Sequence, residues 1–109
     1  MARKIKQFKY YPPVKNEEDE ISKKFINGTI FAEEGVFPIL QLGIQGLPGT
    51  KFYLNGSIYP ICIGLSGIYD LEVKNGVIIS KLEFSADSMA KYKNGSVLIV
   101  DVIYEEKEG

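Results

Sequence analysis

The chain has no histidine, no tryptophan and a single cysteine in 109 residues. Each shortage removes some chemistry. Without histidine there is no Ser–His–Asp or Cys–His pair, because nothing stands ready to take a proton at neutral pH. One cysteine and no histidine cannot make a tetrahedral zinc site. One cysteine also cannot make a disulfide within the chain. Cys62 sits in the apolar run Ile61-Cys62-Ile63 and reads as a buried small hydrophobe rather than a nucleophile. No apolar run reaches the roughly 20 residues that span a bilayer. The start, MARKIKQFKYYPP, is basic but lacks the apolar core of a signal peptide. Folding in a reducing cytoplasm is therefore expected, and the Asn-x-Ser/Thr sequons at Asn27, Asn55 and Asn94 count only as turns. The formal net charge is −1, which implies no general attraction to nucleic acid or to an anionic membrane.

What is present fits one small domain. Hydrophobic residues make up 45% of the chain, enough for a single core at this length. Residues 1–20 differ from the rest and are expected to form a partly extended N-terminal arm ahead of a domain over 21–109. Arg3, Lys4, Lys6, Lys9 and Lys15 precede any acid; Glu17, Glu18, Asp19 and Glu20 follow as a block. Pro12-Pro13 between them favours an extended chain. Two readings stay open. The arm is solvated and its charge blocks cancel, or its apolar residues Ile5, Phe8, Tyr10 and Tyr11 dock on a neighbouring subunit. The acidic block argues against a nucleic-acid role for the basic one.

Beyond the arm, Asn16 can cap a short helix over 17–25, and 26–32 is an alternative first strand. Residues 37–45 alternate, with Leu40, Leu42 and Ile44 on one face and Gln41, Gly43 and Gln45 on the other, as in a half-buried strand. Pro48-Gly49 suits a type II turn. A short strand over 50–54 runs into Asn55-Gly56, a strong hairpin signal. The returning run, 57–63, contains Pro60, which confines it to an edge or a bulge. Tyr69, Leu71 and Val73 point inward from the next strand, with Asp70 and Glu72 outward. A further strand over 77–84 puts Ile78, Leu82 and Phe84 on one face, and Ser85 can cap a helix of one or two turns. Residues 96–104 are apolar on both faces, the pattern of an interior, central strand. The sum is six to eight short strands with glycine-rich turns. This predicts an all-β, mainly antiparallel fold, a β-sandwich of jelly-roll type with one or two short helices.

No motif for chemistry survives scrutiny. Gly43, Gly46 and Gly49 are followed by strand-like sequence, not the helix a phosphate cradle needs. Gly64 and Gly67 have the spacing of a KH-domain clamp but β-like flanks. Leu47-Pro48-Gly49-Thr50 lacks the glycine, apolar tail and basic end of a cell-wall sorting signal. Asp70 and Glu72 read as acids on a solvated strand face, and no calcium-loop spacing is present. No enzyme activity, cofactor or metal is expected. Tyr53, Tyr59 and Tyr69 fall in successive strands. They are either core and rim aromatics or a surface on which a sugar ring or a partner stacks.

One resemblance bears on function. The segments QLGIQGLPGTKFYLNGS, PICIGLSGIYDLEV, GVIISKLEFSADSM and LIVDVIYEE resemble small structural proteins from the tails or baseplates of Gram-positive phages, prophages and phage-tail-like bacteriocins. The likeness covers roughly residues 30–106 and leaves out the arm. It implies a non-enzymatic virion component, a β-sandwich subunit that packs with itself and with other tail or baseplate proteins, made in the bacterial cytoplasm. The alternative expectation is a carbohydrate-binding module that presents Tyr53, Tyr59 or Tyr69 to cell-surface glycans.

Overall fold

The protein is seen here as a computed structural model, which describes residues 2–10, 39–73, 79–93 and 95–106. It is an all-β, sandwich-like fold. In chain order the elements are β1 (Ala2–Tyr10), β2 (Ile39–Gln45), β3 (Lys51–Leu54), β4 (Ile61–Cys62), β5 (Ile68–Glu72), β6 (Leu82–Phe84), one helical turn α1 (Ala86–Met89) and β7 (Leu98–Glu106). The larger sheet has the order β1-β7-β2-β5 and the smaller β4-β3-β6. Every pairing is antiparallel.

The core lies between the two sheets. Phe8, Val100, Ile44 and Tyr69 form one inward row of the larger sheet, and Val102, Leu42 and Leu71 another. From the smaller sheet, Phe52, Leu82 and Phe84 face them, fully buried or nearly so. Phe52 spans the two layers. Its ring lies 5.0 Å from that of Tyr69, edge to face, and 5.8 Å from that of Phe84. Each such side chain withdrawn from water contributes about 1.5–3 kcal/mol.

Most strand expectations hold. β5 points Tyr69 and Leu71 inward and Asp70 and Glu72 outward. β7 is central, between β1 and β2, and Pro60 directly precedes β4, an edge strand. Thr50 N–H donates to Leu47 O at 3.2 Å and Gly49 takes φ 85°, as a type II turn with Pro48 at its second position requires. Ser85 Oγ accepts from Ser88 N–H at 3.1 Å, so Ser85 is the helix cap. The helix stops after one turn.

Several expectations need correction. Ala2–Tyr10 is extended, but it is an edge strand of the sandwich, paired with β7 along its length; residues 11–20 lie outside the described residues. In β2 the alternation slips at a bulge between Ile39 and Gln41, so Ile39, Leu42 and Ile44 are the buried set and Leu40 is only half-buried. The return strand is two residues long, because Ile58 and Tyr59 stand out in solvent, and Cys62, expected to be buried, is exposed on this edge strand. Tyr59 N–H donates to Ser57 Oγ at 3.1 Å, a local bond that replaces a ladder bond. The helix over 17–25, the strand over 26–32, the Asn75-Gly76 turn and Ile78 fall outside the described residues.

Asn55 does more than turn the chain. It takes φ 54° and Gly56 φ 72°, the two positive values of a type I′ turn. Its Oδ1 accepts from Ser80 N–H at 2.8 Å and Lys81 N–H at 3.2 Å, and its own N–H donates to Lys81 O at 2.9 Å. The turn thus fixes the chain entering β6. Asn55→Ala is expected to lower stability by about 2 kcal/mol, from strain at positive φ and the lost bonds. Asn55→Gly keeps the conformation and should fall in between. Urea midpoints of the three proteins check this order.

Candidate functional site

Two surfaces gather polar and apolar side chains on rigid strands. The first is the outward face of the smaller sheet. Tyr53 on β3 lies directly opposite Glu83 on β6. With Ser57, Phe84, Ser85 and Ala86 they line an open groove of about 410 Å³. The floor is held firmly. Ser88 Oγ accepts from Lys51 N–H at 2.9 Å, Ser85 Oγ donates to Ser88 Oγ at 2.8 Å, and Ser85 N–H donates to Lys51 O at 3.0 Å. These bonds tie α1 to β3. Tyr59, 76% exposed, stands on the β3–β4 loop beyond Ser57.

The second surface is the open face of the larger sheet. The register sets its residues in rows: Ile5, Ile103, Gln41 and Glu72; then Gln7, Asp101, Gly43 and Asp70; then Lys9, Ile99, Gln45 and Ile68. Ile5 is 69% exposed and Ile68 52%, while Ile99 and Ile103 are half-buried. In the middle row Gln7 Nε2 donates to Asp101 Oδ1 at 2.7 Å. Gly43 leaves a shallow hollow of about 180 Å³ between Asp70 and Asp101; a Cβ there would stand 3.2 Å from Asp70 Oδ1. Among the described residues no third acid, cysteine or histidine joins such a pair. Asp70 and Glu72 share the outward face of one strand rather than facing each other across a cleft.

The tyrosines singled out in the sequence separate. Tyr53 lines the groove and Tyr59 stands exposed on the loop two residues past the groove's Ser57, but Tyr69 is an inward residue packed on Phe52. The arm residues separate too. Tyr10 is buried edge-to-face with Tyr92 at 6.1 Å, Phe8 packs against the core and Ile5 faces out; Tyr11 lies outside the described residues. Sequence reasoning missed the open face of the larger sheet. The signal lies in Ile99 and Ile103, apolar residues that stand half-buried on the outward side of β7.

No protein-family model, no curated protein and no solved structure matches the chain. Among the described residues no helix is long and apolar enough to cross a membrane.

Proposed function

We propose that the chain is a non-enzymatic structural protein that assembles with copies of itself. Among such proteins, a tail or baseplate component of a phage, prophage or phage-tail-like bacteriocin fits best, with its working place in the virion. The observation that carries the reading is the open face of the larger sheet. Ile5, Ile68, Ile99 and Ile103 are set there on paired strands, and Ile5 and Ile68 are well exposed. Clustered exposed apolar side chains on rigid strands are suited to a protein contact. The family resemblance supplies the biological setting, and other tail or baseplate proteins are the further partners it implies. Light scattering on a size-exclusion column should give a mass several times the 12.2 kDa of the chain; one copy at every concentration would sink the reading.

A second reading rests on the groove. Tyr53 beside Glu83, Ser57 and Ser85, with the exposed Tyr59 two residues beyond Ser57, offers an aromatic surface with hydroxyl and carboxylate partners for a cell-surface glycan. Titration with Gram-positive cell-wall saccharides should move the amide resonances of Tyr53, Tyr59 and Glu83. Silence at those three positions removes this reading.

A further inference from the structure

The larger sheet has two edges of opposite character. β1, at one edge, reads ARKIKQFKY and contains four cations and no acid; β5, at the other, reads IYDLE and contains two acids and no cation. On the open face this leaves Arg3 and Lys9 along one rim and Asp70 and Glu72 along the other, all four exposed. Ile5 and Ile68 lie among them and are the best-exposed apolar residues of that face. Among the described residues neither strand has a second neighbour.

We infer that β5 of one copy pairs with β1 of the next, joining the larger sheets of successive copies into one continuous sheet. This rests on the self-assembly reading and names its contact. Three features support it. The sheet has four strands, all antiparallel, so β1 and β5 run in opposite directions. A second copy in the same orientation therefore continues the antiparallel order, and its open face stays on the same side. The charges attract across this junction, whereas a β1–β1 contact would set cation against cation; lysines on an edge discourage that self-pairing. The alternation also matches. With Ile68 opposite Ile5, Asp70 falls opposite Arg3, so one register pairs apolar with apolar and acid with base at consecutive outward positions. The contact joins two different surfaces, so it propagates head to tail into a ring or a filament rather than stopping at a dimer.

Cysteine trapping tests the register. In a Cys62→Ser background, which removes the exposed native thiol, Ile5→Cys and Ile68→Cys are made singly and together. Positions 5 and 68 of one copy are three strand spacings apart across the sheet and four residues apart along it, roughly 20 Å, too far to bridge internally. Under mild oxidation the double variant should form a ladder of covalent oligomers. The two single variants mixed should stop at a dimer that contains one of each, and each alone should stay monomeric on a denaturing gel. Asp70→Lys should weaken association roughly tenfold, and Arg3→Glu added should restore it. High salt should weaken the native assembly in the same direction. An oligomer without the 5–68 bridge overturns this pairing and leaves self-assembly standing. A 5–5 bridge overturns it in favour of a two-fold contact. A monomer at every concentration overturns both.

Discussion

Replacing Phe52 by alanine is expected to cost about 3–5 kcal/mol, more than a small domain can lose without a visible shift in its folding equilibrium. Phe52 is fully buried at the centre of the smaller sheet. Its ring meets Tyr69 from the opposite layer and Phe84 from the neighbouring strand. Truncation removes apolar contact and opens a cavity between the layers that no nearby backbone can close, because Phe52 is held on both sides by Ile61 and Phe84. Phe52→Leu should cost less, since it keeps most of the volume. Chemical denaturation of the two variants gives the comparison. A Phe52→Ala loss under about 1 kcal/mol would mean that the layers are not packed through this ring.

Gly46→Ala is the second large effect. Gly46 N–H donates to Gly67 O at 2.9 Å, and a Cβ on Gly46 would collide with the Tyr92 hydroxyl and stand 2.9 Å from Leu98 Cδ1. That hydroxyl is fully engaged. It accepts from Leu47 N–H at 3.0 Å and lies 2.8 Å from Thr50 Oγ1, which itself donates to Leu47 O at 2.7 Å. Since the Thr50 hydrogen is committed to Leu47, Tyr92 donates to Thr50. The methyl group therefore clashes and breaks a closed, buried set of bonds together. The expected loss is about 2–4 kcal/mol, from overpacking and an orphaned N–H. Tyr92→Phe alone should cost about 1–3 kcal/mol by the second route only. The double variant should be more stable than the two losses added, because removing the hydroxyl removes the main clash. Strict additivity would show that Gly46 and Tyr92 do not meet.

The strands that announce themselves in the sequence are those whose alternation is decided locally. β5 and the inward face of β7 are of this kind, with Tyr69, Leu71, Leu98, Val100 and Val102 at every second position. β1 is not. Its inward positions are Lys4, Lys6, Phe8 and Tyr10, half of them charged, so no apolar face is visible until β7 is beside it. Lys6 lies over the Phe8 ring with its ammonium 5.6 Å from the ring centre, an arrangement that only the paired strand sets up. The separation of the three tyrosines was equally hidden. Tyr53 and Tyr69 sit in similar local sequence, but the strands belong to different sheets whose interiors face each other. The outward position of one is thus the groove, and the inward position of the other is the core. The row that joins Gln7 to Asp101 brings together residues 94 positions apart, beyond the reach of any short-range pattern.

The pairing of β1 with β7 also sets an order of events. Ala2 meets Glu106 and Tyr10 meets Leu98, so β7, one of the two inner strands of the larger sheet, is synthesised after the sheet's other three. Until it emerges, among the described strands β2 has only β5 beside it and β1 still awaits β7. The larger sheet therefore cannot close while the chain is still growing, whereas β3, β4 and β6, all within residues 51–84, can meet earlier. Closing so long a loop costs chain entropy before any contact is returned, and folding governed by such pairings is slow, on the order of milliseconds to seconds. A chain cut short before residue 98 loses the partner of two strands at once and leaves both exposed as edges.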